Sequence, residues 1–209
     1  MRTIIKGQEP RSLEQHRSTP HANYYNYADK DALRESLVTE QRGLCCYCLS
    51  RIRPRVMKVE HWRSQSGYPA EQLNYGNLLA ACMGNEGQAG RAQHCDTRKG
   101  NSDLSRNPAN PMHHVEDLIR FEPDRRIFSD DNAFDREIND VLNLNEKFLK
   151  NNRKATLDGF RDALKKRGTF PKTTLEKWLR EWNGESYSGE LKPYCQVIVY
   201  WLRKRLARV

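Results

Sequence analysis

The chain has 209 residues and a net charge of +9, with 36 Lys and Arg residues against 27 Asp and Glu residues. A chain of this length forms one or two domains and not a large multidomain assembly. Hydrophobic residues make up 37% and charged residues 30% of the chain, so we expect a modest core beneath an ionic surface. The longest apolar stretch, 195–202, falls far short of the roughly 20 residues that a membrane helix needs.

The amino terminus and the cysteines together predict a cytoplasmic protein. Residues 1–10, MRTIIKGQEP, reach charge and proline before any apolar run, so no secretory signal is expected. In a reducing compartment the six cysteines would not form disulfides, and clustered pairs then favour metal or redox chemistry. Basic residues surround the segment 45–100 and end the chain, a distribution that favours a polyanionic partner such as nucleic acid.

Residues 1–28 are predicted to form an extended arm. The segment mixes proline, scattered charge and a cluster of tyrosines, Tyr24, Tyr25 and Tyr27, without helical or strand periodicity. The tyrosines could pack on this chain, on a partner or on nucleic-acid bases. Partial burial against the chain itself is the favoured interpretation.

Residues 29–106 carry the elements expected to form the functional core. A helix over 29–41 has an apolar stripe, an aspartate that can cap its start and a glycine beyond its end. A short strand is predicted within 51–61, and a second, buried strand covers 77–82. A glycine-rich loop then leads to a short helix that begins after His94.

The remaining chain divides into a linker with a β-hairpin over 107–131 and a helical region over 132–209. Turn-forming residues at 122–124 separate two apolar runs, a pattern typical of a hairpin. From residue 132 onward, large apolar residues recur at spacings of three and four, as they do on amphipathic helices. The predicted fold class is therefore α+β, with an N-terminal arm and a C-terminal helical region.

Four of the six cysteines are arranged as two pairs. Cys45 and Cys48 form a C-x-x-C pair, whose thiolates can turn onto one tetrahedral ion, and Cys82 and Cys95 form a second pair. This arrangement predicts a closed four-cysteine Zn²⁺ site that holds two loops together. The wide spacing of the second pair also allows His94 to replace Cys95 as the fourth ligand. The two other cysteines are expected to be ordinary buried residues: Cys46 and Cys195.

Polar residues between and beside the cysteines have the chemistry that phosphodiester hydrolysis needs, namely a base, a divalent cation and groups that hold them. His61 is the candidate base, because an imidazole with a pKa of about 6.5 accepts a proton at neutral pH. Glu60 and Asp96 are oxygen donors suited to Mg²⁺. Asn77 could fix the His61 loop or its ring, and Lys99 could hold the phosphate.

Each of these residues also has an ordinary structural interpretation. Glu60 and His61 could be a surface pair, Asn77 a turn residue, Asp96 a helix cap and Lys99 a solvated charge. Their order at regular intervals within the cysteine pairs favours the functional interpretation.

The combined pattern resembles the zinc-supported HNH, or ββα-metal, nuclease motif. It reads CCYC over 45–48, Glu60-His61, Asn77-Leu78-Leu79 before Cys82, and CDTRKG over 95–100. The opening MRTIIKGQEPRSLEQHR and the phrases LVTEQRGLCCYC, VEHWRSQS and LNLNEKFLKNNRK extend the likeness over most of the chain. They resemble the PtuB-type HNH proteins of Septu and retron anti-phage systems. Glu60 stands where an aspartate is common in the motif, and Ser64 replaces a frequent proline.

The resemblance implies a metal-dependent endonuclease that cleaves DNA, or an RNA such as tRNA, as the effector of an anti-phage defence system. It implies a zinc-supported ββα-metal core with His61 as general base and Asn77 orienting it. Asp96 occupies the place of the last HNH residue, beside a catalytic Mg²⁺ or Mn²⁺ ion. The implied partner is a PtuA-like ABC-type ATPase, alone or with a retron reverse transcriptase and its nucleic acid, and the arm and the helical tail are the candidate docking surfaces.

Two other functions compete with a nuclease. A non-catalytic zinc-knuckle module that binds nucleic acid fits the charge and the cysteines equally well, but it gives no reason for Glu60, His61 and Asp96 at their intervals. A redox protein that uses the C-x-x-C pair would want a strand before the pair, whereas here a predicted helix precedes it.

Overall fold

The computed structural model describes residues 1–165 and 170–208 and shows a mixed α+β chain with small sheets. Each sheet has two antiparallel strands: β1 (Lys58–His61) with β2 (Leu78–Ala81), and β3 (Ile119–Phe121) with β4 (Ile127–Ser129). The α-helices are α1 (Arg11–Arg17), α2 (Lys30–Glu40), α3 (Cys95–Lys99), α4 (Val115–Leu118), α5 (Asn132–Arg136), α6 (Lys147–Lys165), α7 (Lys172–Asn183) and α8 (Cys195–Leu206). The predicted α+β class is confirmed.

The first part of the chain packs on the rest of the molecule, which differs from the predicted extended arm. It contains α1, and the side chains of Met1, Ile4 and Leu13 are buried in the main core. The Ile4 N–H donates to the carbonyl of Pro108 at 2.8 Å, which connects this segment to the predicted linker. These apolar residues are isolated in sequence, so they formed no periodic stripe that could predict their burial.

Helix α2 agrees with its prediction to within one residue at each end. The Asp29 carboxylate accepts the Ala32 N–H at 3.3 Å, as an N-cap does. The helix ends before Gly43, which has a φ of +74°, a conformation that glycine adopts without strain. Leu33 and Leu37 are fully buried and pack α2 on the main core.

The two predicted core strands and the helix after them are present in the expected order. In the β1–β2 pair, Glu60 lies opposite Leu79 and His61 opposite Leu78. The strand predicted within 51–61 is confined to its last four residues, because the chain turns back on itself around Pro54. All of β2 is buried, which explains its uninterrupted apolar sequence.

The predicted hairpin is confirmed as β3–β4, and the region beyond it is helical apart from its connections. A π-helical turn over Glu137–Val141 continues α5. The main core takes side chains from all four predicted segments, whereas α6, α7 and α8 enclose a second core. Residues 166–169 and 209, within the predicted helical region, lie outside the described residues. Among the described helices, none combines the length and the apolar character needed to cross a membrane.

Candidate active site and metal centre

Four cysteine thiols converge on one point. The Sγ atoms of Cys45, Cys48, Cys82 and Cys95 all lie within 4.8 Å of one another. The Cys45–Cys95 and Cys48–Cys82 sulfur distances are 3.9 Å and 3.7 Å. When metal–sulfur bonds of about 2.3 Å are arranged tetrahedrally, the sulfur atoms lie about 3.8 Å apart. The predicted four-cysteine group is therefore confirmed as one that can hold a metal ion.

Hydrogen bonds from α2 and its following turn bring the first cysteine pair to β2. The buried side chain of Gln41 accepts the Ala80 N–H at 2.7 Å and donates to the Ala80 carbonyl at 2.8 Å. The Cys46 N–H donates to the same carbonyl at 3.0 Å. Because Cys82 follows β2 directly, these bonds fix the distance between the two halves of the metal group.

His94 lies beside the fourth cysteine. The Cys95 N–H donates to the carbonyl of Leu142 at 2.9 Å, so the segment after α5 supports this ligand. The His94 Nδ1 is 3.2 Å from the Cys95 sulfur and 3.9 Å from the Cys82 sulfur. Burial lowers the pKa of His94, which favours a neutral ring. Of the two alternatives for the fourth ligand, the geometry favours Cys95, with His94 as a hydrogen-bond partner outside the sulfur group.

Arg153 is a buried cation near the cysteines that sequence analysis missed. Its guanidinium donates to the carbonyls of Arg125 and Leu144, both at 2.9 Å, and to the Asn145 side chain at 3.1 Å. Burial lowers its pKa to about 10, whereas the Cys48 thiol favours the charged form. The positive charge of Arg153 would offset the negative charge of thiolates bound to a metal ion. An arginine on an amphipathic helix ordinarily lies at the surface, so the sequence carried no signal for this position.

An open cleft of about 510 Å³ is lined by three of the five predicted catalytic residues. Glu60 and His61 line it from the end of β1, and Asp96 lines it from the first turn of α3. Lys58 and Ser64 are also part of its wall. The pairing of β1 with β2 and the return of the chain at α3 therefore bring together residues that are far apart in sequence.

The Glu60 carboxylate is held in a buried position. Only 1% of the residue is exposed, and it accepts a hydrogen bond from the Tyr47 hydroxyl at 2.7 Å. Lys99 forms an ion pair with it at 2.9 Å. Burial, and then the neighbouring Asp96 carboxyl group, raise the pKa of Glu60 well above its usual range, whereas the Lys99 ammonium and the Tyr47 hydroxyl favour the ionised form. Two carboxyl groups in such proximity repel one another when both ionise, and a divalent cation between them would remove this repulsion.

His61 is also buried, with 6% of its surface exposed, so the surface-pair interpretation of Glu60 and His61 is wrong. Its Nε2 lies 3.1 Å from the carbonyl oxygen of Gln72. A carbonyl only accepts hydrogen bonds, so a proton on Nε2 satisfies this contact. The ring of Tyr24 packs edge-on against the imidazole, with centroids 4.7 Å apart.

The environment of His61 changes its acidity from the value expected from sequence. Burial lowers the pKa of His61 to about 4. The Gln72 carbonyl and the Asp96 charge act in the opposite direction, because they favour the protonated ring. The ring is therefore neutral over the whole neutral pH range. Burial arises in part from Tyr24, a long-range contact that no local pattern predicts.

Asn77 fixes the loop that follows His61. Its Oδ1 accepts the Arg63 N–H at 2.7 Å, and its Nδ2 donates to the carbonyls of Arg63 and Glu71, both at 3.0 Å. The sequence left open whether Asn77 holds the His61 loop or the ring, and these bonds show the loop. Asn77 is thus more than a turn residue, since its side chain spans the loop from one end to the other.

Lys99 does not occupy the position predicted for a phosphate contact. Its ammonium group is fully buried, pairs with Glu60 and donates to the His61 carbonyl at 3.1 Å. A buried lysine with these partners cannot reach a bound phosphate without breaking its ion pair. Lys99 instead holds the carboxylate and the backbone of the Glu60-His61 pair, and the solvated-charge interpretation is also wrong.

Asp96 is the more exposed of the two carboxylates in the cleft. Its side chain is 22% exposed and lies 3.8 Å from the Lys58 ammonium, which itself pairs with Glu86 at 2.7 Å. No side-chain hydrogen bond caps the start of α3, so the helix-cap interpretation of Asp96 is wrong. The carboxylate is accordingly available to a ligand in the cleft.

Tyr47 and Gln72 complete this arrangement and were not predicted as site residues. Tyr47 is the fully buried third residue of CCYC, and nothing in its spacing distinguishes a carboxylate donor from an ordinary core tyrosine. Gln72 acts on His61 through a main-chain carbonyl, which every residue type offers. Both roles arise only in the folded chain, where Tyr47 lies beside Glu60 and the Gln72 carbonyl lies beside His61.

Comparisons with known proteins do not assign a family. No protein-family model matches the chain, and no curated protein matches it.

We expect the purified chain to contain about one zinc ion, as a closed four-sulfur site holds. Cys48→Ser removes one ligand, so zinc content measured by plasma mass spectrometry should fall below about half of the wild-type value. Cys46→Ser is the matched control, because Cys46 is buried beside the group but outside it. Equal zinc contents in the two variants would contradict the site.

Lys99→Met leaves the Glu60 carboxylate without its buried partner. We expect this variant to lose about 3 kcal/mol of unfolding free energy in urea. Arg98→Met changes the exposed neighbour on α3 and should alter stability by no more than about 0.5 kcal/mol. If Lys99 were a solvated phosphate contact, the two variants would be equally stable.

His61 makes stability depend on pH, because its pKa is about 4 in the folded chain against 6.5 for a free histidine. The folded state then binds fewer protons than the unfolded state between these values. The stabilisation is complete above pH 6.5 and is lost as the pH falls towards 4. Relative to His61→Gln, the wild type should lose about 3 kcal/mol of unfolding free energy between pH 6.5 and pH 4, measured by urea titration. Parallel plots of unfolding free energy against pH for the two proteins would refute this.

Proposed function

We propose that the chain is an HNH-type, metal-dependent endonuclease that hydrolyses phosphodiester bonds of nucleic acid. The observation that carries the proposal is one open cleft in which neutral His61 lies beside the paired carboxyl groups of Glu60 and Asp96. The cleft is built on two antiparallel strands followed by a helix, the order of elements that the ββα-metal resemblance implies.

His61 is the proposed general base. The contact of Nε2 with the Gln72 carbonyl fixes the orientation of the ring. In the tautomer with a proton on Nε2, Nδ1 would accept a proton from the attacking water. The ring remains unprotonated at neutral pH because burial lowers its pKa. The edge of Tyr24 limits rotation of the ring, which supports a single reactive orientation.

Glu60 and Asp96 are the residues that would hold a divalent cation such as Mg²⁺ or Mn²⁺, and their oxygen donors fit such an ion. When bound, this ion stabilises negative charge on the phosphate and on the leaving oxygen. Tyr47 and Lys99 fix the Glu60 carboxylate by a hydrogen bond and an ion pair. The longer side chain of Glu60, relative to the aspartate common in the motif, is thus anchored at its end.

The cysteine group is the proposed site of a structural zinc. Four sulfur ligands close a tetrahedral site and leave no open position for chemistry, which supports a structural role. The turn at 45–48 lies on one side of this site, and Cys82 and Cys95 connect it to β2 and α3 on the other. Zinc bound there would hold both walls of the cleft.

The partner assignment rests on the PtuB-type likeness of the sequence. We propose that the chain acts in an anti-phage defence system with a PtuA-like ABC-type ATPase, with or without a retron reverse transcriptase and its nucleic acid. Exposed apolar side chains in the first part of the chain, Ile5 at 70% and Tyr25 at 87% exposure, are consistent with a docking surface there.

A non-catalytic zinc-knuckle that binds nucleic acid is the alternative, and the net charge of +9 favours it as much as it favours a nuclease. Such a module has no use for a buried carboxylate beside a second one. Burying Glu60 against Asp96 costs free energy, and a bound cation supplies a reason for that cost.

The experiment that tests the proposal compares wild type with His61→Ala. Each protein is incubated with DNA duplex, single-stranded DNA and structured RNA in Mg²⁺ or Mn²⁺. Loss of the base should reduce the cleavage rate by about 10²- to 10⁴-fold, with zinc content and folding unchanged. His114→Asn, which alters an exposed histidine elsewhere, should cleave as wild type does. Full cleavage by His61→Ala would remove the assignment.

A further inference from the structure

One cation near the cleft has its charge free for a ligand. Lys99 is paired with Glu60, and Lys58 is paired with Glu86. The side chain of Arg63, two residues after His61, has neither an ion-pair nor a hydrogen-bond partner within the described part of the chain, and the residue is exposed.

Two aromatic rings hold the Arg63 guanidinium. Its Cζ atom is 5.0 Å from the ring centroid of Tyr68 and 5.6 Å from that of Trp62. The Tyr68 hydroxyl donates to Asp103 at 2.9 Å, which fixes this ring to the segment beyond α3. Contact with a ring face orders a guanidinium while its N–H donors stay free for the oxygen atoms of an anion.

The main chain of Arg63 is fixed as firmly as its side chain. The Asn77 side chain accepts a hydrogen bond from the Arg63 N–H and donates one to the Arg63 carbonyl. Among the described residues, only Arg63 forms two hydrogen bonds with this side chain. The next two residues, Ser64 and Gln65, line the cleft. Asn77 therefore fixes the main chain of Arg63 directly before two residues that line the cleft.

We propose that Arg63 binds a backbone phosphate of the nucleic acid and positions the strand in the cleft. The inference rests on the proposed function and assigns to Arg63 the contact that sequence analysis gave to Lys99. A guanidinium suits this task because it donates two parallel hydrogen bonds to phosphate oxygens. Trp62 and Tyr68 reduce the conformational entropy lost when the phosphate binds.

A binding assay tests Arg63 separately from cleavage. The full chain carrying His61→Ala is titrated, in Ca²⁺, into labelled DNA duplex, single-stranded DNA and an RNA hairpin, with fluorescence anisotropy as the readout. Adding Arg63→Ala should weaken the tightest complex by about tenfold or more. It should also reduce the slope of log K against log salt concentration by about one, which corresponds to the loss of one phosphate contact.

The matched control is Arg180→Ala in the same background. Arg180 is an exposed arginine on α7, beside the second core, and its loss removes the same charge. We expect its effect on affinity to stay below about twofold, because a distant surface charge is screened by salt.

Two further variants distinguish the effect of the planar, ring-stacked guanidinium from the effect of its positive charge. Arg63→Lys keeps the charge but loses the planar donor pair and the ring contacts, and Tyr68→Leu keeps the arginine but frees it. Both should weaken binding by less than Arg63→Ala does, with zinc content and melting temperature as in the wild type.

The outcomes distinguish this inference from the proposed function. If wild type cleaves nucleic acid and Arg63→Ala binds as tightly as its parent, the role of Arg63 is overturned and the nuclease stands. If binding depends on Arg63 but wild type cleaves no substrate, the phosphate contact is supported and the nuclease is overturned. Equal losses in Arg63→Ala and Arg180→Ala would show a diffuse charge effect and overturn the role of Arg63.

Discussion

The convergence of four thiols on one point is the constraint on which the cleft depends. Strands β1 and β2 have four residues each, and α3 has five. Elements of this length are not stable alone, since a two-stranded hairpin is marginal and a helix of one turn barely nucleates. Cys82 follows β2 and Cys95 opens α3, so the metal group fixes both elements relative to the turn at 45–48. The positions of Glu60, His61 and Asp96 follow from that connection.

Within this support, the cleft concentrates groups that are costly to bury. Glu60 lies against a second carboxyl group, Lys99 is fully removed from water, and His61 is kept neutral by burial. None of these features improves the packing of a small core, and under the proposed function each would help to activate water beside a divalent cation. Packing of the main core offsets this cost, and zinc bound at the four cysteines would offset it further.

Sequence analysis predicted the parts of the fold that depend on local patterns. Asp29 and Gly43 marked the ends of α2, apolar runs marked β2 and the β3–β4 hairpin, and the spacing of the cysteines indicated a single metal group. Glu60, His61 and Asp96 were brought into one cleft as expected. Capping and periodicity act over a few residues, which is why the ends of α2 and the strands could be predicted. The cleft and the metal group join distant residues, and they were expected from the order of the polar residues among the four cysteines.

What the sequence did not predict depends on contacts between distant residues. The packing of Tyr24 on His61 lowers the pKa of the candidate base, and it follows from how the first part of the chain folds back. Lys99 was expected at a phosphate, but its contact with Glu60 exists only once α3 lies on β1. Arg153 was missed because a buried arginine has the same helical spacing as a surface one. In each case the tertiary environment, and not the residue type, decides the role.

We propose that this chain holds two different ions, zinc at the four cysteines and a catalytic divalent cation at Glu60 and Asp96. Anomalous diffraction from crystals grown with Mn²⁺, recorded on both sides of the manganese and zinc absorption edges, tests it directly. Zinc should give a signal among the cysteine sulfur atoms, and manganese should give a signal beside the carboxylates of Glu60 and Asp96. A fully occupied zinc site with no manganese in the cleft would contradict it.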